Sequence, residues 1–176
     1  MKISVPSLSS GRHEFRSRVP PHEYGEAARA SGLEFVGAID VTVVVDKMGE
    51  ELYVRADAEA VVPAECARCL EAFDLPLAAH SEALYVPESE RESRGSRTAR
   101  AERESERILY YSGGVVDLGE QIVESLALAV PMKPICGDAC KGLCPHCGAN
   151  LNTAPCSCKD DDDFGHPFKG LFDAEG

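Results

Sequence analysis

The sequence predicts an α+β fold: an antiparallel β-meander or small barrel-like sheet with one main packing helix, followed by a cysteine-rich C-terminal segment. Three observations predict it. Apolar and polar residues alternate through residues 33 to 85, an amphipathic stretch with helical spacing follows near residue 120, and six of the eight cysteines lie between residues 136 and 158. Alternation with a period of two is typical of half-buried antiparallel strands, and closely paired cysteines are typical of metal sites.

Composition fits one modest core with attachments, since the chain has 176 residues, of which 44% are apolar. We divide it into an N-terminal arm with a first strand (1–32), a β-rich core with the packing helix (33–135), and a cysteine-rich segment with the C-terminal tail (136–176). The formal net charge is -12, and acidic residues outnumber basic ones eleven to three in residues 33 to 86. A broad DNA- or RNA-binding face is therefore not expected, because such faces need clustered basic side chains.

No membrane contact is expected either. No apolar run approaches the roughly 20 residues that span a bilayer, and the start of the sequence, "MKISVPSLSSGRHEF", lacks the apolar region of a secretory signal. We therefore expect a cytoplasmic protein. In that compartment thiols stay reduced, so the cysteines favour metal or redox chemistry over a disulfide framework.

Three runs with period two predict a meander of at least three strands, with a turn at "DKMGEE" between the first and the second. Pro76 in the third run indicates a sheet edge or a bulge, because proline cannot donate a ladder hydrogen bond. The inward-facing positions are Leu33, Phe35, Ile39, Val41, Val43 and Val45 in the first run, Leu52, Val54, Ala56, Ala58, Ala60 and Val62 in the second, and Phe73, Leu75, Leu77, Ala79, Ala83 and Tyr85 in the third.

Residues 87 to 107 are predicted to form a mobile charged loop. They contain six Glu, six Arg and no large apolar residue, so they cannot bury enough surface to offset the cost of ordering. An arginine-bearing RNA-binding arm is the alternative interpretation.

The packing helix is predicted in "DLGEQIVESLALAV". Asp117 stands three residues before Glu120, which resembles a capping box, and Pro131 ends the helix. One side carries the apolar residues Leu118, Ile122, Leu126, Ala129 and Val130. We expect this side to pack across the sheet, with an exposed partner-binding helix as the alternative.

The eight cysteines are the candidate metal ligands: Cys66, Cys69, Cys136, Cys140, Cys144, Cys147, Cys156 and Cys158. A C-x2-C pair in a tight turn points both sulfurs at one ion, and "CARC" and "CPHCG" are two such pairs. They predict one or two structural zinc ions, but spacing leaves the pairing open. Both pairs could share a ribbon site of Cys66, Cys69, Cys144 and Cys147, or the six C-terminal cysteines could close a site among themselves.

Other chemistries have less support. A rubredoxin-like iron site needs the same four thiolates. The spacing of Cys140, Cys144 and Cys147 matches a radical S-adenosylmethionine motif, but that motif precedes a large barrel and only 29 residues follow Cys147. Catalytic zinc needs an open position and a general base, and no histidine outside the second C-x2-C pair lies in a recognisable motif. We therefore predict a protein without enzymatic activity.

Three stretches together carry a family resemblance: "CARCLEAFDLPL", "LALAVPMKPICGDACKGLCPHCGANLNTAPCSC" and the closing "DDDFGHPFKGL". In this order they resemble the YceD family of large ribosomal RNA subunit accumulation proteins. The resemblance implies a role in accumulation of 23S ribosomal RNA and in assembly of the large subunit. The implied partners are a ribosomal protein or a large-subunit precursor particle, with the 23S ribosomal RNA contacted directly or indirectly.

Arg68 is the candidate contact to RNA or to a partner. It lies between the ligands of the first pair, where its side chain is expected either to reach a phosphate or to pair with a carboxylate and support the turn. Because the chain is acidic, we expect it to attract a basic ribosomal protein more readily than RNA.

Overall fold

The computed structural model describes residues 1–91 and 107–158. Within these ranges the strands are β1 (Lys2–Ser4), β2 (Gly11–Val19), β3 (Ile39–Met48), β4 (Glu51–Glu65), β5 (Ala72–Pro87), β6 (Ile108–Tyr111) and β7 (Val115–Asp117). The helices are α1 (Gly25–Ser31) and α2 (Gly119–Ala129), and three short 3-10 turns cover Val5–Ser7, Pro21–Tyr24 and Glu88–Glu90. Most of the predicted charged loop and the closing "DDDFGHPFKGL" lie outside the described residues.

The main sheet has five strands in the order β2-β3-β4-β5-β6. The first four pair antiparallel in sequence order, and β6 joins the far edge parallel to β5. A second antiparallel pair joins β1 to β7. The α+β class and a mostly antiparallel sheet are thus confirmed.

From residue 39 onward the predicted alternation places the core correctly except at Phe73, which is half-buried and does not pack against the core. Neighbours in the register such as Val43 and Ala56, or Val45 and Val54, lie side by side on the covered face of the sheet. Every inward position predicted for the second run is buried. With them are buried Ile39, Val41, Val43 and Val45 of β3, Leu77, Ala83 and Tyr85 of β5, and Leu118, Ile122, Val123 and Leu126 of the helix region.

The first long strand of the meander begins later than its sequence pattern indicates. The alternation starts at Leu33, whereas β3 begins at Ile39. Gly37 has a φ of 85°, a left-handed conformation that interrupts an extended chain. Leu33 and Phe35 still pack against the core. Their apolar alternation therefore reflects burial of a segment that is not a strand.

Pro76 lies at a sheet edge, as predicted. It pairs with Val61 of β4 on one side. The β6 strand on the other side of β5 contacts only the stretch from Leu84 to Pro87, so the missing N–H of Pro76 leaves no described neighbour without a partner.

Helix α2 covers the sheet, packing mainly on β5 and also on β4. It begins one residue later than a capping box at Asp117 requires: the N-cap residue is Leu118, which has no side-chain cap. Asp117 ends β7 instead, and its Oδ1 accepts a hydrogen bond from the Gly119 N–H at 2.9 Å. The short helix α1, which the sequence pattern did not predict, packs against α2.

The β4–β5 hairpin positions the candidate site. These strands are 15 and 16 residues long, and their pairing continues to Glu65 opposite Ala72. The tip of this hairpin, residues 66 to 71, therefore projects beyond the rest of the sheet and carries the "CARC" cysteines.

Candidate metal centre

Two groups of four cysteines come together at and beyond the hairpin tip. The first cluster is Cys66, Cys69, Cys136 and Cys140, and the second cluster is Cys144, Cys147, Cys156 and Cys158. In each cluster the four sulfurs lie within 4.8 Å of one another. All eight cysteines are free thiols, so neither cluster is a disulfide.

The turn at the hairpin tip points two sulfurs inward. The Cys66 N–H donates to the Glu71 carbonyl at 2.9 Å, and the Leu70 N–H donates to the Cys66 carbonyl at 2.9 Å. Leu70 has a φ of 60°, and it is the only residue other than glycine with positive φ in the described ranges. This backbone leaves further N–H groups facing sulfur: the Arg68 N–H lies 3.5 Å from the Cys66 Sγ.

The second C-x2-C pair repeats this turn position by position. The Cys144 N–H donates to the Ala149 carbonyl at 2.8 Å, and the Gly148 N–H donates to the Cys144 carbonyl at 2.9 Å. Gly148, with a φ of 72°, takes the place of Leu70. Leu143 forms a β-bridge with Asn150. This pair occupies the same positions relative to its cysteines as the Glu65–Ala72 pair of the first turn. The same local fold thus presents a cysteine pair in both clusters.

The other two cysteines of each cluster come from the irregular C-terminal segment. Cys136 and Cys140 lie on the approach to the second turn, and Cys156 and Cys158 follow it. The segment is held against the hairpin tip by backbone bonds from the Ala67 N–H to the Pro134 carbonyl (2.8 Å) and from the Leu143 N–H to the Arg68 carbonyl (3.0 Å). These bonds bring together cysteines about 70 residues apart in sequence, such as Cys66 and Cys136.

The sulfur positions of the first cluster fit a single tetrahedral ion. A zinc–sulfur bond of about 2.3 Å puts tetrahedral sulfurs about 3.8 Å apart. In the first cluster the Sγ atoms of Cys66 and Cys140, and those of Cys69 and Cys136, are 3.8 Å apart. In the second cluster the Cys144 and Cys156 sulfurs are 3.3 Å apart. The donor set of four sulfurs is the one that structural zinc prefers.

Ionisation of the first cluster is uneven. Burial opposes ionisation of Cys66, but N–H groups, led by that of Cys136 and followed by that of Arg68, outweigh it and lower the pKa of this thiol to about 6. Bonds to the neighbouring sulfurs of Cys140 and Cys66 raise the pKa of Cys136 to about 12. At Cys140 burial likewise opposes ionisation, but the Asn152 amide and the Gly142 N–H outweigh it and lower the pKa of this thiol. The protein therefore favours ionisation of Cys66 and Cys140 by itself, and a cation is needed before all four sulfurs ionise together.

Ionisation of the second cluster is also uneven. The N–H groups of Cys147 and His146 lower the pKa of Cys144 to about 6. A hydrogen bond to the Cys147 sulfur raises the pKa of Cys158 to about 12. Each turn therefore lowers the pKa of its first cysteine.

Arg68 connects the two turns. Its Nη1 donates to the Cys140 carbonyl at 3.3 Å, and its own carbonyl accepts the Leu143 N–H. Among the described residues this side chain contacts a carbonyl rather than the carboxylate that sequence reasoning considered. Its exposure leaves the phosphate or partner contact as a prediction.

Sequence reasoning missed two asparagines that connect the parts of the site. The Asn152 Nδ2 lies 3.5 Å from the Cys140 Sγ, and its Oδ1 accepts the Lys141 N–H at 2.8 Å. The Asn150 Nδ2 donates to Glu71 Oε1 at 3.1 Å. In "GANLNTAP" these residues look like ordinary turn formers, and only the return of this segment to the hairpin gives them partners.

The structure decides between the cysteine groupings that the sequence spacing left open. Cys66 and Cys69 group with Cys136 and Cys140, so the two C-x2-C turns do not share the ribbon site considered above. The C-terminal six do not close a single site either, because they divide between the clusters. Across residues 1–91 and 107–158, these two are the only groups of three or more potential ligands close enough to hold a metal.

The fold and the site together define a class: a small α+β protein with two four-cysteine centres at the tip of its longest hairpin. The sequence profile described as "Large ribosomal RNA subunit accumulation protein YceD" matches residues 54–173. This match covers more than half of the chain and includes all eight cysteines. The chain therefore belongs to the YceD family, which confirms the resemblance found in the sequence.

Individual relatives agree with this membership. An uncharacterized protein of Mycobacterium tuberculosis is 29% identical over 140 residues, covering 76% of this chain and 64% of its own length. Another from Mycobacterium leprae is 25% identical over 124 residues, covering 70% of this chain and 54% of its own length. The chain thus spans between about half and two thirds of these mycobacterial relatives.

A plant relative shares a shorter segment. The maize (Zea mays) protein called "Large ribosomal RNA subunit accumulation protein YCED homolog 1, chloroplastic" is 41% identical over 59 residues, covering 32% of this chain and 20% of its own length. No solved structure matches the chain. Within the described residues, no helix is long and apolar enough to cross a membrane.

Proposed function

We propose that this chain is a non-enzymatic factor that supports accumulation of 23S ribosomal RNA and assembly of the large ribosomal subunit. Membership of the YceD family carries the proposal, because the profile over residues 54–173 and the maize relative both have names that describe accumulation of the large ribosomal RNA subunit. The cysteine clusters serve structure in this proposal, since four protein ligands leave no open position for a substrate.

Each cluster holds one zinc ion in this proposal. The sulfur separations and the N–H groups directed at Cys66 support it. Zinc binding by small cysteine modules contributes about 10 to 16 kcal/mol of apparent free energy at neutral pH. The segment after Pro134 contains no strand or helix within its described residues, so this free energy stabilises a conformation that its own core cannot maintain.

The proposed partner is a basic ribosomal protein or a precursor particle that presents one. The chain has a net charge of -12, and each zinc with four thiolates adds a centre with a charge of about -2. Phosphates are repelled by this field, whereas a basic protein is attracted by it. Contact with 23S ribosomal RNA is then indirect, or local at an exposed cation such as Arg68.

Depletion of the chain tests the function. We expect gradient profiles of depleted cells to show fewer large subunits relative to small subunits, together with a lower ratio of 23S to 16S ribosomal RNA. Re-expression of the wild-type chain should restore both ratios, while Cys66→Ser/Cys136→Ser should restore them poorly. Unchanged ratios after complete depletion would contradict the proposed function.

A rubredoxin-like iron site is the second candidate, because four thiolates accept iron as well as zinc in this geometry. Elemental analysis and the absorption spectrum of protein purified without added metal distinguish the two. Stoichiometric iron with visible bands that bleach on reduction would favour a redox role. Colourless protein with zinc excludes that role for these clusters.

A further inference from the structure

A groove runs between helices α1 and α2, and no cysteine lines it. Its volume is about 850 Å³. Small and apolar side chains form part of its walls, namely Ala27, Ala30, Val123, Ala127 and Leu128. Leu128 is 79% exposed, which is unusual for a leucine on the helix that covers the core.

The polar lining of the groove is strongly acidic. Five carboxylates line it against the two cations Lys2 and Arg107. Lys2 lies 3.8 Å from Asp117, and Arg107 lies 2.6 Å from Glu124. The remaining carboxylates, Glu23, Glu26 and Glu120, have no ion pair with any residue in the described ranges.

Tyr24 lines the same groove and carries a buried hydroxyl. Tyr24 is only 2% exposed, and its Oη has no partner among the described residues. Gly119 lets the ring approach, since a Cβ there would lie 3.3 Å from the Tyr24 Cδ1. An unpaired buried hydroxyl is destabilising. The oxygen has almost no accessible surface, so a bound donor or acceptor gains this hydrogen bond by displacing the groove wall around it.

The spread of the carboxylates indicates what the groove accepts. They do not converge as metal ligands do, because the only such groups within 4.8 Å among the described residues are the cysteines. A nucleic acid is repelled by the acidic lining. Distributed negative charge beside an apolar wall fits a chain whose cationic side chains have long aliphatic stems.

We propose that this groove binds a lysine- and arginine-rich segment of a protein partner. Its cationic groups pair with Glu23, Glu26 and Glu120, their stems contact the wall at Leu128, and one polar group bonds the Tyr24 hydroxyl. That this partner is ribosomal rests on the proposed function. The basic chemistry of the segment rests on the groove alone.

Fluorescence anisotropy with the purified full chain tests the groove. The probe is a labelled twelve-residue peptide repeating Lys-Arg-Leu, with a Glu-Glu-Leu peptide as the control. We expect binding of the basic peptide only, weakened by salt between 50 and 300 mM. Glu23→Gln/Glu26→Gln/Glu120→Gln should weaken it about tenfold.

The control variant Glu34→Gln/Glu59→Gln/Asp74→Asn makes the same change in net charge at exposed residues outside the groove. We expect it to weaken binding less than about threefold, because most of its effect is screened long-range attraction. Equal weakening by the two triple variants, or no binding by the wild-type chain, would overturn the proposal.

Tyr24→Phe separates binding from folding. Removing an unpaired buried hydroxyl should leave the stability of the free chain unchanged or higher, yet weaken peptide binding about threefold. Unchanged binding by this variant would overturn the role of the hydroxyl. If replacing residues 92–106 by a Gly-Ser linker strengthens binding more than tenfold, the occupant is an arginine-bearing segment of this chain, and the proposal fails.

The peptide experiment and the depletion experiment test the groove and the proposed function independently. A large-subunit deficit on depletion with no peptide binding rejects the groove and keeps the proposed function. Peptide binding without a deficit keeps the groove and rejects the ribosomal identity of its partner.

Discussion

Gly142 and Gly148 share a φ of 72° but have very different surroundings. At Gly148 an added Cβ meets no atom within 4 Å, whereas at Gly142 it would lie 3.1 Å from the Arg68 carbonyl oxygen. That oxygen accepts the Leu143 N–H, which holds the second turn against the hairpin tip. Substituting Gly148 therefore tests only the cost of the left-handed backbone, whereas substituting Gly142 adds the cost of disturbing this contact.

Gly148→Ala should lower the free energy of unfolding of the metal-loaded chain by about 1 kcal/mol, because a left-handed alanine is disfavoured. Gly142→Ala should cost about 1 kcal/mol more, since the contact with Arg68 must also shift. Urea denaturation measures both. Equal losses would show that the close approach at Gly142 contributes nothing.

His80 provides a pH-dependent contribution on the solvent-facing side of the sheet. Its Nδ1 lies 2.7 Å from Asp57 and its Nε2 lies 3.1 Å from Glu82, and these hydrogen bonds, with Asp57 first, raise the pKa of the imidazole above its usual 6.5. The folded state therefore holds its proton more tightly than the unfolded state. This stabilisation is complete below about pH 6.5 and disappears as the pH rises through the raised value.

His80→Gln should consequently lose stability relative to the wild type at pH 6, and the difference should shrink by pH 9. Denaturation curves at several pH values between these limits measure it. Asp57→Asn, which removes the main hydrogen-bond acceptor, should reproduce the trend. A difference that stays constant with pH would contradict this assignment.

At the residue scale the sequence identified the cysteines that form the two clusters but not their grouping. The two C-x2-C turns are local structures, so their spacing predicts them. Which cysteines complete each cluster depends on the bond from Ala67 to Pro134, which joins parts of the chain 67 residues apart. No local pattern encodes that contact, and for the same reason Asn150 and Asn152 were missed.

A buried polar connection fixes helix α2 to the sheet. The Tyr85 hydroxyl donates to Gln121 Oε1 at 2.8 Å, and Gln121 Nε2 donates to Ser81 Oγ at 3.2 Å. Gln121 is 2% exposed and is the one buried polar residue among those described. Its hydrogen bonds align the helix with β5, which a purely apolar contact does not do.

Tyr85→Phe should lower the free energy of unfolding by about 1 to 3 kcal/mol, because it leaves the Gln121 oxygen buried without its donor. In Tyr85→Phe/Gln121→Leu both partners are apolar, so the loss should be smaller than the sum of the single losses. Urea denaturation of the four chains gives the coupling. Additive losses would contradict a direct interaction.

At the element scale, long strands with a covered face were predictable and short ones were not. β4 and β5 show their period over many residues, whereas β6 has four residues and β7 has three. The parallel pairing of β6 with β5 and the pairing of β7 with β1 depend on tertiary context. Likewise, α1 has seven residues and no buried side chain, so it lacks the apolar stripe that indicates a helix.

In the whole molecule, the apolar core and the cysteine clusters are separate parts of the structure. The core consists of side chains from the sheet, the N-terminal strand region and α2, and no cysteine belongs to it. Metal removal by a strong chelator should therefore expose residues 134–158 to protease while the far-ultraviolet β signal persists. Hydrogen exchange should show protection retained in β3 and β4. Loss of the β signal together with the metal would contradict this separation.

The two-cluster arrangement is the central claim, and native mass spectrometry of reduced, zinc-reconstituted protein tests it most directly. The wild-type chain should bind two zinc ions. Cys66→Ser/Cys136→Ser should bind one, because both changes fall in the first cluster, whereas Cys66→Ser/Cys156→Ser should bind none. One zinc in the second double variant and none in the first would contradict the arrangement of these eight cysteines.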